Sequence, residues 1–109
     1  MDSEKLQELQ LLEQHLHSFI VQKQSSQVEL NEVENAFNEI KNSPHEMYKI
    51  VGNIMVKANG EELKKELDEK KRILSLRISS IERQEKIIEK KSLELRKELT
   101  SSIEKDKGH

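Results

Sequence analysis

Four histidines are the side chains of this sequence best suited to acid–base or metal chemistry, and the chain contains no cysteine. His15 and His17 are two residues apart, so on a helix their side chains point in different directions. His45 and His109 stand far from them, and the HExxH spacing of helical zinc sites does not occur. The lack of thiols excludes a cysteine nucleophile, a disulfide and a cysteine zinc site. We therefore predict no catalytic centre, no cofactor and no metal site.

The other polar residues also lack the spacing that chemistry requires. The glycines form no phosphate-binding loop, because neither GxGxxG nor Gly-Lys-Ser/Thr is present. Charged residues make up 37% of the chain at a net charge of −2, with both signs mixed as on solvated helices. The basic residues at 70–72 and 90–91 alternate with acids and have no aromatic neighbours, so we predict no nucleic-acid binding. These features favour a binding protein over an enzyme.

The composition also argues against secretion and membrane insertion. No basic start is followed by an apolar run, so no signal peptide is predicted. No apolar stretch approaches the roughly 20 residues of a membrane span. The absence of cysteine agrees with a reducing compartment. We expect a cytoplasmic protein without membrane contact.

The first of two predicted long helices covers residues 4–41. Its apolar residues recur at steps of three and four without slipping, which is typical of a coiled-coil seam. The ten seam positions, eight of them apolar, are Leu9, Leu12, Leu16, Phe19, Lys23, Ser26, Leu30, Val33, Phe37 and Ile40. Pro44 ends this helix because its ring is incompatible with a helix interior.

The second predicted helix covers residues 61–105 and begins after Asn59, a favourable N-cap. Its unbroken apolar column is Leu67, Leu74, Ile81, Ile88 and Leu95. The expected companion column is mostly polar: Leu63, Lys70, Arg77, Gln84 and Lys91. Spacings of four from Leu95 to Leu99 and Ile103 predict a local stutter.

The short connection between the helices predicts antiparallel packing within a single domain of residues 1–109. With Ile40 against Leu63, apolar layers match along the coil as far as Leu9 and Leu95. The same alignment predicts a polar layer half-way along, formed by Lys23, Ser26, Arg77, Ser79 and Ser80. We interpret this layer as fixing the register at a cost in stability, and a functional hinge is the alternative.

Residues 47–57 are the one stretch typical of β-strands, with Gly52-Asn53 at the centre as in a two-residue hairpin turn of type I′ or II′. Such a turn places Val51 opposite Ile54 and Ile50 opposite Met55, which leaves both faces mostly apolar. A lone hairpin with two apolar faces and free edges is marginal in water, so we predict that other chains supply further strands. The predicted assembly residues are Tyr48, Ile50, Val51, Gly52, Ile54, Met55 and Val56. The alternative is a loop folded onto the chain's own helices.

Apolar residues also collect near both termini, which antiparallel pairing places at the same end of the coil, away from the hairpin. We call this region the coil end and predict that it frays and offers apolar surface to a binding partner. Its residues are Leu6, Leu9, Leu11, Leu12, Leu93, Leu95, Leu99 and Ile103. The alternative is that they are ordinary seam residues and scattered surface leucines.

The order helix, single hairpin, helix resembles the β-type subunit of prefoldin, in an archaeal-like form, over essentially the whole chain. The most specific part is the hairpin Tyr48-Lys49-Ile50-Val51-Gly52-Asn53-Ile54-Met55-Val56-Lys57. The stretch Phe19-Ile20-Val21-Gln22-Lys23-Gln24, running on to Val28-Glu29-Leu30, is also similar to the first helix of that family. One hairpin instead of two separates the chain from the α-type subunit.

This resemblance implies a mainly α fold, a long antiparallel two-helix coiled coil whose hairpin joins an intersubunit β-barrel. It implies a hexamer of two α-type and four β-type subunits, or a eukaryotic-type complex of six different chains. The implied function is that of an ATP-independent co-chaperone whose coil tips capture non-native proteins for a group II chaperonin. The competing hypothesis is a structural coiled-coil adaptor without chaperone activity.

Overall fold

The computed structural model describes the backbone of residues 2–42 and 46–107 and the side-chain surroundings of residues 3–42 and 46–102. Helix α1 spans Asp2–Asn42, strands β1 and β2 span Met47–Val51 and Ile54–Ala58, and helix α2 spans Gly60–Lys107. The strands form an antiparallel two-stranded sheet. The predicted mainly helical fold with a single hairpin is therefore confirmed, and the alternative of an irregular loop is wrong.

Helix α1 buries the seam that the sequence predicts. All ten predicted seam residues are buried or half-buried, whereas the aliphatic residues Leu11, Val21 and Val28 between them are exposed. A strip of side chains repeating every three and four residues stays on one side of a helix, so regular spacing alone sorts these positions.

Helix α2 has the predicted apolar column but a different companion column. Of the predicted companions, Leu63 is half-buried, whereas Lys70, Arg77, Gln84 and Lys91 are exposed. The buried or half-buried companions are instead Ile78, Glu85, Ser92 and Leu99. These residues alternate with Leu74, Ile81, Ile88 and Leu95 at steps of four and three. The apolar pattern of the sequence did not predict this column, because two of its members, Glu85 and Ser92, are polar.

The predicted stutter after Leu95 rests on Leu99 and Ile103, and the side chain of Ile103 lies outside the described residues. Leu95 is buried and Leu99 and Ser102 are half-buried, which continues the spacing of four and three. Leu99 belongs to the companion column, so the step of four is part of the ordinary heptad.

The chain forms two compact units, the first made of residues 1–24 and 79–109 and the second of residues 25–78. In the first unit, ion pairs join Lys5 to Glu98 at 3.5 Å and Glu13 to Arg96. The order of these pairs shows that the two segments of this unit run antiparallel.

In the second unit, Lys71 Nζ lies 3.9 Å from Glu34 Oε1, and Phe37 and Leu67 line the same groove. Ile40 and Leu63 line another groove together with Leu67. The helical segments of this unit are therefore also antiparallel.

Lys23 is a charged residue of the α1 seam, and its partner is Glu85. Its Nζ lies 2.9 Å from Oε1 and 3.3 Å from Oε2 of this carboxylate, which is almost buried. The contact with Oε1 is ionic and lacks hydrogen-bond geometry, so Oε1 is a buried oxygen with no hydrogen bond among the described residues. The predicted partner Arg77 is exposed, Ser80 is half-buried and Ser26 is buried. The polar layer therefore contains Glu85, which pairing the two helices by their apolar residues did not predict.

The hydrogen bond to Glu85 raises the pKa of Lys23 above its ordinary value of 10.5. A raised lysine pKa means that folding favours the charged form. The resulting stabilisation is complete below the unfolded pKa and is lost as pH rises through the folded pKa. We therefore expect the contribution of Lys23 to be constant near neutral pH and to disappear only in alkali.

Replacing both Lys23 and Glu85 with leucine is expected to stabilise the full chain. Two partly buried charges lose hydration that their attraction does not fully restore, whereas two leucines would continue the apolar seam. We expect the double variant to raise the Tm, followed by circular dichroism, by roughly 4 °C. Glu85→Ala alone should lower the Tm, because it leaves Lys23 without its partner. A double variant less stable than the original chain would contradict this account.

Helix α2 begins at the N-cap that the sequence predicts. The backbone N–H of Glu61 donates to Asn59 Oδ1 at 2.8 Å, and the backbone N–H of Leu63 donates to Asn59 O at 2.9 Å. An Asn side chain at this position satisfies a backbone donor that has no partner within the helix.

Asn59→Ala is expected to lower the free energy of unfolding by about 1 kcal/mol, because the N–H of Glu61 loses its acceptor. Asn59→Asp serves as the control, since it keeps an oxygen at the same position and should cost little. Urea unfolding of the full chain measures both changes, and equal losses in the two variants would contradict the capping role.

Candidate functional site

The hairpin turn depends on Gly52. Its φ of +62° is the only positive φ found in the described part of the chain, so Asn53 keeps a negative φ. A positive φ at the first central residue alone defines a type II′ turn, which resolves the choice left open by the sequence. The strand register is as predicted, with Val51 opposite Ile54, Ile50 opposite Met55 and Tyr48 opposite Lys57.

One face of the hairpin is held against the rest of its unit. On this face Met47, Lys49, Val56 and Ala58 are half-buried. The Met47 side chain lies beside Gly60, where an added Cβ would be 3.4 Å from its Sδ. Lys49 Nζ also pairs with Glu66 Oε1 at 3.2 Å, which ties β1 to helix α2.

The other face of the hairpin is open. Ile50 is 72% exposed and Met55 is 66% exposed, and Tyr48 and Lys57 beside them are also more than half exposed. The Tyr48 hydroxyl donates to Glu46 Oε2 at 3.1 Å, and Lys57 Nζ lies 3.5 Å from Glu46 Oε1. These contacts occupy the polar groups and leave the apolar surface uncovered.

The turn end of the hairpin is exposed as well. Val51 and Ile54 are more than half exposed although they share a face with the covered residues. Of the predicted assembly residues, Tyr48, Ile50, Val51, Gly52, Ile54 and Met55 are therefore accessible, and Val56 is half-buried. The structure brings them together on one short ribbon.

The free backbone groups lie on the same residues as the open face. Within the described residues the sheet has only two strands, so each strand has one unpaired edge. In an antiparallel pair, hydrogen-bonded and non-bonded positions alternate, and the pair that flanks a two-residue turn is bonded. The outward N–H and C=O groups therefore belong to Tyr48 and Ile50 on β1 and to Met55 and Lys57 on β2. An added strand would bond to these residues and cover their side chains.

An apolar groove of about 410 Å³ opens beside this face. Its lining includes Ala36, Ile40, Met47, Leu63 and Leu67. Tyr48 lines the groove and also belongs to the open face, so the two apolar surfaces are continuous.

The eight coil-end residues divide by accessibility. Leu9 and Leu95 are buried in the seam, at 9% and 8% exposure. Leu12 and Leu99 are half-buried, whereas Leu6, Leu11 and Leu93 are about half exposed. The side chain of Ile103 lies outside the described residues. The structure therefore presents three of these leucines to solvent and uses the buried ones to hold the first unit together.

Further sequence predictions concern reactive groups and membrane contact. His15 and His17 are exposed on α1, and His45 and His109 lie outside the described residues. Across residues 3–42 and 46–102, no cluster of His, Asp and Glu has the geometry of a metal site. No helix in the described part of the chain is long and apolar enough to cross a lipid bilayer.

Comparison with known proteins identifies the family. The sequence profile of the prefoldin subunit family matches residues 3–106. The chain belongs to this family. Prefoldin subunits are non-enzymatic co-chaperones, so the prediction of a chaperone-family protein is confirmed at this level.

The curated relatives identify the β-type branch. Prefoldin subunit beta of Thermococcus kodakarensis is 36% identical over 100 residues, which cover 90% of this chain and 86% of that protein. Prefoldin subunit beta of Archaeoglobus fulgidus is 34% identical over 103 residues, which cover 93% and 89%. The resemblance to β-type prefoldin seen in the hairpin residues is therefore confirmed.

Solved structures agree on the fold. The prefoldin beta subunit from Thermococcus strain KS-1 superposes with a TM-score of 0.85 at 35% identity, over 93% of this chain and 90% of that one. The prefoldin beta2 subunit from the same strain gives a TM-score of 0.70 at 21% identity, over 86% and 99%. The second likeness concerns the fold alone.

Sequence reasoning missed two features of these sites. Both hairpin faces look equally apolar in the sequence. The contact that ties one of them to helix α2 joins Lys49 to Glu66, 17 positions away, and no local pattern predicts it. Sequence reasoning also did not separate exposed from buried leucines at the coil end. The signal for that separation was the α2 companion column, which places Leu95 and Leu99 in the seam and Leu93 outside it.

Proposed function

We propose that this chain is the β-type subunit of a prefoldin hexamer with two α-type and four β-type subunits. The hairpin joins the hairpins of neighbouring subunits into β-barrels, with residues 1–109 acting as a single domain. The observation that carries this proposal is that the free backbone edges and the open apolar face belong to the same residues, Tyr48, Ile50, Met55 and Lys57. Strand addition would satisfy those backbone groups and bury those side chains together.

We further propose that the assembled complex captures non-native proteins through its coil ends in the cytoplasm. Leu6, Leu11 and Leu93 offer apolar surface in the closed coil, and Leu9, Leu95 and their neighbours add to it where the coil opens. A single patch of this size binds weakly. Several patches acting on one unfolded chain raise the overall affinity through effective concentration. Release occurs by transfer to a group II chaperonin and uses no nucleotide.

Suppression of aggregation tests this function. The chain is assembled with an α-type prefoldin subunit and added to a protein diluted from denaturant, in the absence of ATP. We expect light scattering from the diluted protein to fall as complex is added, up to a stoichiometric limit. A well-formed complex that leaves the scattering unchanged would overturn the chaperone function and favour a structural adaptor.

Delivery is tested separately by adding a group II chaperonin with ATP to the loaded complex. We expect the client to refold and the complex to be recovered free of it. Retention of the client on the complex would contradict transfer without contradicting capture.

A further inference from the structure

Helix α1 contains an almost uncharged segment that neither the fold nor the proposed coil-end site explains. Between Glu13 and Glu29 the only formally charged side chain is Lys23, in a chain that is 37% charged. The outer surface of a coiled coil normally carries charges that keep it solvated. The lack of charge on this part of the helix surface therefore points to a role other than solvation.

The single charge in this segment is already paired. Lys23 is half-buried and directs its ammonium group to Glu85 at 2.9 Å. Apart from the two histidines, the exposed side chains of residues 14–24 are Gln14, Ser18, Ile20, Val21, Gln22 and Gln24. We call these six residues the neutral face. All of them belong to the first compact unit.

The neutral face combines apolar surface with groups that both donate and accept hydrogen bonds. Val21 is 50% exposed and Ile20 is 38% exposed. Glutamine amides and serine hydroxyls carry both donors and acceptors, and Gln22 already donates to Ser18 at 3.1 Å. Covering this face removes no charge from water, and the cores of protein interfaces are depleted of charge for that reason.

These properties match an extended segment of non-native polypeptide. Such a segment presents apolar side chains together with backbone N–H and C=O groups that lack partners. Glutamine and serine can bond either backbone group, and Ile20 and Val21 can contact the side chains. A nucleic acid would instead require basic residues, which this face lacks.

The neutral face is also within reach of a client held at the coil end. Leu11 and Val21 lie on the same helix ten residues apart, which corresponds to about 15 Å along the axis. An extended polypeptide covers that distance with about five residues. A client segment in contact with Leu11 can therefore continue along α1 to Val21.

We propose that the neutral face is a second client-contact surface, which binds an extended uncharged segment of the same non-native chain that the coil end holds. This inference rests on the proposed chaperone function. It adds a surface whose role is separable from that of the coil-end leucines.

Site-specific cross-linking distinguishes the two surfaces, because a chain without cysteine accepts single cysteines cleanly. Three single-cysteine variants are each assembled into the complex and labelled with benzophenone maleimide. They are Leu11→Cys, Val21→Cys and the control Leu76→Cys. The client is reduced and carboxamidomethylated α-lactalbumin, which stays unfolded and whose thiols are blocked by uncharged groups. Leu76 is a suitable control because it is 56% exposed but lies on helix α2 outside both surfaces.

We expect client cross-links from positions 11 and 21 and none above background from position 76. Cross-links from position 11 alone would overturn the neutral face and leave coil-end capture intact. Cross-links from position 21 alone would support the neutral face and contradict the coil-end site. Absence of cross-links from positions 11 and 21 would overturn the neutral face together with the proposed function. Equal cross-linking from all three positions would show that the client contacts the chain without preference for either surface, which would also overturn the inference.

Affinity provides a second readout. Val21→Glu places a charge on the neutral face and is expected to weaken binding of the same client about fivefold, the equivalent of losing one apolar contact. Leu76→Glu should leave the affinity unchanged. Circular dichroism and native mass establish that both variants fold and assemble. Equal affinities for the two variants would overturn the inference.

Discussion

Ile50→Glu combined with Met55→Glu is expected to abolish assembly with the α-type subunit while both helices stay folded. These two side chains are opposite each other on the open face of the hairpin, where they are 72% and 66% exposed in the single chain. Burial of each contributes about 1.5–3 kcal/mol to association, and the variant would instead bury two carboxylates without partners. We expect an affinity loss of at least a thousandfold, since each 1.4 kcal/mol corresponds to a factor of ten.

Native mass of the co-expressed subunits measures this effect directly. The matched control is Ile73→Glu with Leu76→Glu, which makes the same change at two exposed aliphatic residues of helix α2. We expect the control to assemble and the hairpin variant to elute as separate subunits with unchanged helical circular dichroism. An intact complex from the hairpin variant would exclude residues 47–57 as the assembly element.

Replacing Leu6, Leu11 and Leu93 with serine is expected to remove most of the ability to suppress aggregation. These three residues are the coil-end leucines that the structure leaves about half exposed. In the proposed mechanism each coil end binds weakly, so a small loss at every β-type subunit would multiply across the several contacts with one client. We expect at least a tenfold increase in the amount of complex needed for half-maximal suppression, given about 1 kcal/mol lost at each contact.

A second triple variant provides the control for this experiment. Val28→Ser, Ile73→Ser and Leu76→Ser remove the same kind of exposed aliphatic surface from residues outside the coil end and the neutral face. We expect this variant to suppress aggregation as well as the original complex. Equal losses in the two variants would show that total apolar surface matters and that the coil end is no special site.

The comparison of Leu9 with Leu11 shows why the coil end was only partly predictable. Both are leucines near the start of α1, but Leu9 is 9% exposed and Leu11 is 51% exposed. The seam of α1 already separates them, because Leu9 follows the three–four spacing and Leu11 does not. The corresponding separation in α2 was obscured, since Glu85 and Ser92 occupy seam positions and made the column that contains Leu99 look discontinuous.

The polar pair shows the limit of alignment by hydrophobic pattern. Aligning the two helices by their apolar residues placed Lys23 beside Arg77, two like charges. In the structure Lys23 meets Glu85, and Arg77 is exposed. A pattern of apolar positions reports which side of a helix is covered, but the attraction between opposite charges decides which polar residues meet inside the seam.

The two helices, the hairpin with its register, the N-cap at Asn59 and the resemblance to β-type prefoldin could all be predicted from the sequence alone. Each of these depends on local chemistry or on spacing within one segment: the positive φ of Gly52, the side-chain oxygen of Asn59 and the heptads of α1. Which hairpin face is covered and which carboxylate pairs with Lys23 became clear only from the folded chain. Those outcomes depend on contacts between residues far apart in sequence, such as Lys49 with Glu66 and Lys23 with Glu85, and no local pattern encodes them.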